Sequence, residues 1–460
     1  MKKNTLLKYV LNGLLVCVIL AVVAFAILQP KIWQGTVKEK QPTLTLQTAL
    51  NTETPAAGNT SATPAPAARD VVQEISFSDV IPQDLHFTEG WCWNSIGVDD
   101  KGNVYMGIGG KTPDGQDVVE VSYNTTTGMR KFLTTLRTVS QQAGNLKIGE
   151  EIPKGHTRIV EMNGKMYLGS QGFHDIFKID PNVRGGHFYE MDVTSGAWRD
   201  LSVTDPGGVS IPNQGIIGVD VIPEKNLVVG FTHAAGNIIV YDLATQHSTV
   251  YTNPDAAQYL GRNVSRHIVY SSKYNRIYAS FAGSPMLRLD LNTGAYTTLP
   301  ASTGEFYFGP GPGYDYGNEF VTAMAKNHDG SQIYYLAWSG YLYHFDADNE
   351  TLTRVGPVNT PDELANNVKV GTAFALVMSN DEKYLYTIPS SMSNGSTGLY
   401  RYDIAAGVWS KQADLTAKFG NATFSGGEID AQGRIYFARF GGENSGWVHL
   451  LQIDVTQLQP

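Results

Sequence analysis

The chain has 460 residues, with 34 Lys plus Arg against 43 Asp plus Glu and a formal charge of -9. The charges are spread without a basic stripe or tail, which excludes a protein that binds nucleic acid by neutralising phosphates. Only 17% of residues are charged, 11% are aromatic, and 48 are Gly, a balance that suits strands and turns better than helices.

The first element reads as a membrane anchor. Lys2, Lys3 and Lys8 precede the uncharged run YVLNGLLVCVILAVVAFAILQP, Tyr9 to Pro30, and Lys31 closes it. About twenty mainly apolar residues are what a helix needs to cross hydrocarbon. The leading lysines favour a cytoplasmic N-terminus over residues 1–8, a transmembrane signal anchor over 9–30, and an extracytoplasmic remainder at the cell membrane. Ala24-Phe25-Ala26 resembles a small-residue cleavage site, so a cleaved signal peptide is the competing reading. Residues 31–70 follow, rich in Thr, Ala and Pro beyond Leu50. Such a segment cannot bury enough surface to offset its chain entropy, and it is expected to form a disordered stalk. Cys17 lies in the apolar run and Cys92 beyond the stalk, so no disulfide within the chain is expected, which fits an exported bacterial protein at least as well as a cytosolic one.

From Ser95 onward one unit recurs seven times. Its first half reads SIGVDDKGNVYMGIGG, RIVEMNGKMYLGSQG, GVDVIPEKNLVVGFT, HIVYSSKYNRIYASFAG, AMAKNHDGSQIYYLAW, ALVMSNDEKYLYTIPS and GGEIDAQGRIYFARFGG. Its second half ends on an Asn or Asp followed by a turn: Asn124, Asp192, Asp242, Asp290, Asp346, Asp403 and Asp454. The side chain of such a residue accepts turn amides, and a Gly four positions later takes positive φ. Apolar and polar residues alternate between the turns, the period of a half-buried strand. Each unit therefore predicts a four-stranded antiparallel meander, and the whole an all-β, seven-bladed β-propeller over residues 71–460. The seventh copy ends without a fourth strand, and VVQEISFSDV, residues 71–80, is strand-like and unassigned. It is expected to close the last blade, removing two open edges. The stretch from Phe132 to Gly155 reads as a helical or irregular excursion between the first two blades.

The pairs Gly102 and Tyr105, Gly164 and Tyr167, and Gly433 and Tyr436, with the Asp-x-x-Thr-Gly type turns, resemble the bacterial propeller superfamily of streptogramin lyase-like, gluconolactonase-like and quinoprotein-like repeats. The resemblance implies the fold and not one function. Glu89-Gly90-Trp91-Cys92-Trp93 is similar to the opening segment of gluconolactonase-like enzymes, whose Glu binds a metal; the later metal positions of that family are not recognisable here.

In a propeller, ligands usually meet the face formed by the loops that enter the innermost strands and the loops that join second to third strands. The entry loops offer Trp91, Trp93, His156, Arg158, Arg266, His267, Glu319 and Glu428, and the others offer His174, His233, Trp338 and Arg439. The arginines suit a carboxylate or sulfate, and the tryptophans suit a sugar ring. His156, His174, His233 and His267 either converge on a divalent metal or are ordinary hydrogen-bonded loop residues. No phosphate loop, nucleophile elbow, cysteine zinc cluster or other cofactor motif is present. The leading expectation is an extracytoplasmic binding or scaffold module for a glycan, peptide or partner protein. The alternative is a lyase or hydrolase acting on a sugar acid or lactone at the channel mouth.

Overall fold

The computed structural model describes residues 71–458 apart from 172–178, 180, 260–264, 282, 307–318, 369–370, 391–396 and 442–446. The anchor and stalk lie outside these residues. No helix among the described residues is long and apolar enough to cross a membrane.

The repeat folds as its turns dictate. Asn124, Asp192, Asp242, Asp290 and Asp346 each accept a backbone amide two residues ahead, and Asp403 accepts one three residues ahead. The amide four residues on, at Gly128, Gly196, Gly294 and Gly407, donates to the same residue's carbonyl at 2.7–2.9 Å. Those glycines have φ of 69–73°, the left-handed region that glycine enters without a Cβ clash. Each turn joins the third strand of a blade to its outer one. At the preceding hairpin Asp99 and Asp430 take the same role, and each also accepts the hydroxyl of a following tyrosine, Tyr105 or Tyr436, at 2.9 Å.

Seven four-stranded antiparallel blades result. Their innermost strands are Ile96–Val98, Val160–Met162, Ile216–Ile222, Val269–Ser271, Val321–Lys326, Val377–Met378 and Thr423–Ile429. Neighbouring inner segments bond around the ring: the Ile159 amide reaches the Ile96 carbonyl at 3.0 Å, and the Val321 amide reaches Ser265 Oγ at 3.2 Å. The core lies between blades. Between the third and fourth, Phe231 and Ile238 meet Phe281 and Leu287, all fully buried; burying each such side chain contributes roughly 1.5–3 kcal/mol.

The last blade closes as expected. Val72–Ser76 pairs antiparallel with His449–Asp454, with Val72 opposite Ile453 and Ser76 opposite His449. Arg130 of the first blade then grips Asp79 at 2.6 Å. The 132–155 excursion contains one short helix, Leu136–Gln142, whose N-terminal amide at Thr138 is capped by the Thr135 hydroxyl.

Two departures from the bare repeat position the site. Thr88–Trp91 adds a strand beside Asn103–Thr112 in the first blade. Phe374–Ala375, which enters the sixth blade, first runs parallel to the inner strand of the seventh, placing Phe374 opposite Ser425.

Candidate functional site

The segments entering the innermost strands bring two tiers of side chains to the channel. The deeper tier is closed by ion pairs. Arg158 donates to Glu428 at 2.7 Å, and Lys326 lies 2.7 Å from Asp220. Burial opposes the charge of Arg158, but Glu428 and Asp220 more than offset it and raise its pKa. Each pair skips a blade, joining the second to the seventh and the third to the fifth, so together they bar the channel. His267, 4% exposed, stands beside Arg158 and Arg266; burial first and then those two cations push its pKa down to about 3, so the ring is neutral.

The upper tier is of another kind. Arg266 lies over the Trp93 ring at 5.0 Å and the Phe374 ring at 5.5 Å. Trp93 meets Phe374 edge-on at 5.5 Å, and Phe374 meets Trp338 edge-on at 5.4 Å. Trp338 in turn stacks on Phe320. The guanidinium thus sits beside two aromatic rings, a cation–π arrangement. Its Nη1 is buried and has no hydrogen-bond partner among the described residues, and burial lowers its pKa to about 10.

His156, 2% exposed, lies against Trp93 with a centroid separation of 6.3 Å, and neither of its ring nitrogens has a partner among the described residues. Burial, then the charges of Arg266 and Lys154 and the nearby His233, drive its pKa well below the usual histidine value. Lys154 is half-buried, and its pKa is lowered by burial and by Arg266. His233 Nδ1 accepts from Gln171 Nε2 at 3.0 Å, leaving Gln171 Oε1 without a partner.

The sequence-derived candidates thus divide. Trp93, His156, Arg266 and Trp338 gather at the channel mouth, with His233 near His156. Arg158, Glu428 and His267 form the layer beneath. Glu319 is occupied locally, accepting from the amide and hydroxyl of Ser339. Trp91 belongs to the added strand and packs against Gly109 in the seam between first and seventh blades. Arg439 is buried in the last blade, 2.7 Å from His449 Nδ1, with Glu74 at 3.4 Å and Phe419 beneath it. His174 lies outside the described residues, as does the side chain of Glu89. Among the described residues, no group of three or more His, Cys, Asp or Glu side chains is placed to hold a metal ion.

Lys154, Gln171, Phe320 and Phe374 belong to the site and were not singled out from the sequence. Lys154 stands two residues before His156, and Phe320 and Phe374 lie in the segments entering the fifth and sixth blades, but the strand registers put neither ring at the position of Trp93, so aligning the repeats would not have marked them.

No family model matches the chain, and no curated protein matches it. Solved structures do. The β-propeller domain of Cps50 (Swd1) from Myceliophteria thermophila is 12% identical, with a TM-score of 0.50 over 80% of this chain and 97% of that one. A chain of the mitotic checkpoint complex is 10% identical, with a TM-score of 0.51 over 89% of this chain and 99% of that one. At such identities the likeness is one of fold.

Proposed function

We propose that the protein is a membrane-anchored, extracytoplasmic binding module whose propeller takes a ligand at the mouth of its channel. The observation that carries this reading is the upper tier. Arg266 and His156 present polar atoms without a partner among the described residues, beside Lys154 and within an aromatic frame, next to a layer of satisfied ion pairs. Buried polar groups without partners are uncommon in folded proteins, and a set of them converging on one recess marks a ligand site. Recognition, rather than catalysis, is favoured because the described carboxylates nearest the channel are engaged: Glu428 with Arg158, Asp220 with Lys326 and Glu319 with Ser339. None is left poised as a general acid or base beside Arg266. The anchor and stalk expected over residues 9–70 would hold this face clear of the membrane.

The test is a screen of glycans and peptides with the full chain in detergent, with chelator present. Trp338→Ala alters the mouth, and Lys101→Ala alters an exposed turn at the opposite end of the blades. Binding lost in the first variant, retained in the second and unaffected by chelator supports the reading. Conversion of a bound glycan or lactone to product would replace it with the lyase or hydrolase alternative.

A further inference from the structure

We propose that the channel mouth recognises a free carboxylate on a small ligand, with Arg266 as the bidentate partner and His156 and Lys154 as its flanking donors. This rests on the reading of the mouth as the ligand site and adds the chemistry of what it takes.

Most of the described arginines are held by a carboxylate; Arg137, on the Glu150 carbonyl, and Arg401, over the Tyr384 ring, are exceptions. Arg130, Arg158, Arg184, Arg276, Arg288 and Arg434 each meet a carboxylate at 2.6–3.2 Å. Arg266 meets none among the described residues and is held by Trp93 and Phe374 instead. Aromatic rings offer the guanidinium no in-plane hydrogen-bond acceptor, and its Nη1 has no partner among the described residues, so the planar edge of N–H groups is left for a ligand. That planar edge matches the two oxygens of a carboxylate.

The surroundings are biased the same way. Arg266 lies close enough to Lys154 to disfavour its charge, and the Lys154 side chain meets no carboxylate among the described residues. Two cations of like sign repel one another, the more so where burial removes solvent, and a bound anion relieves that repulsion. The chain as a whole carries -9, so this local excess of positive charge is not a reflection of a basic surface. His156 adds a neutral imidazole with one N–H to donate and one nitrogen to accept, both buried and unpartnered. A carboxylate beside a hydroxyl or an amide uses both. The ion pairs beneath limit how deep a ligand can enter.

A uronic acid and the C-terminus of a peptide share this chemistry, and the experiment separates them. Calorimetric titration of the full chain in detergent would compare galacturonate with galactose, and N-acetylalanine with its amide, using sulfate as an anion control. The proposal expects at least one acid to bind more tightly than its neutral counterpart by about tenfold or more, the worth of a charge-assisted hydrogen bond. Which pair shows the difference identifies the source. Arg266→Gln should abolish that preference while leaving the melting temperature unchanged or higher, because a buried unpaired cation is removed; loss of binding with an unchanged melt therefore cannot be ascribed to misfolding. Equal binding of acid and neutral forms, no binding of any carboxylate, stronger binding of sulfate than of either acid, or an Arg266→Gln protein that keeps the preference would each overturn the carboxylate assignment. Equal binding that Trp338→Ala abolishes would leave the mouth as a ligand site with a different ligand.

Discussion

Glu120→Gln should stabilise the propeller, by an amount that grows with pH. Glu120 lies on the third strand of the first blade, opposite Gly107, with no exposed surface and no hydrogen-bond partner for either carboxyl oxygen. Burial, with Asp117 adding like charge, pushes its pKa from 4.5 to about 8. In the unfolded chain the proton leaves near the ordinary value, whereas in the folded chain it stays. Between those two values the folded state holds the extra proton, so stability falls as pH rises and levels off above about pH 8. At about 1.4 kcal/mol per pKa unit the shift has a ceiling of roughly 5 kcal/mol, and relaxation around an unpaired buried group brings the measurable effect to about 2 kcal/mol. Glutamine keeps the shape and carries no proton to lose. Urea denaturation of both proteins at about pH 5 and about pH 8.5 should show near-equal midpoints at the lower pH and a higher midpoint for the variant at the upper pH. The pH dependence of the other groups cancels in the difference. A difference that does not change with pH, or a variant that is weaker at the higher pH, would refute the reasoning.

Other expectations follow from the same reading of charge and edges. His187, 1% exposed, sits between Asp200 at 2.9 Å and Glu150 at 3.1 Å; burial opposes its charge, but Asp200 and Glu150 raise its pKa to about 9. His187→Gln should cost about 3 kcal/mol below roughly pH 6.5, with the loss shrinking as pH climbs through the folded value, as urea midpoints would show. Deleting residues 71–80 should leave His449–Asp454 as an open edge, paired only with Arg434–Phe440, and uncover apolar surface around Leu450 and Leu451, giving a protein that aggregates on light scattering while the intact chain stays dispersed. Carboxylate affinity should weaken as salt rises and stay within about twofold from roughly pH 6 to pH 8, because His156 is already neutral there and Arg266 remains charged. A steep gain on acidification would show that a histidine must be protonated to bind.

The fold was legible because its determinants are local. Each anchor residue and its turn lie within five residues, so the seven blades could be counted from Asn124 to Asp454, and the unassigned segment 71–80 had one open edge to fill. The site was legible only in part, because its partnerships are not local. Arg158 and Glu428 stand 270 positions apart, and nothing in either segment signals that they pair. Trp91 and Trp93 are two residues apart, yet an added strand turns the first into a blade seam and leaves the second at the mouth. Phe374 reaches Arg266 only because its segment crosses to the neighbouring blade before joining its own. That Arg266 meets no carboxylate among the described residues depends on every element packed around it, and so becomes visible only once the ring is closed.

The most direct test of the account is a crystal structure of the propeller soaked with galacturonate and, separately, with N-acetylalanine. The account predicts carboxylate density at the edge of the Arg266 guanidinium, within hydrogen-bond reach of His156, with the Trp93 and Phe374 rings still beside it. Density confined to another part of the molecule, or Arg266 turned onto a carboxylate of its own chain, would contradict it.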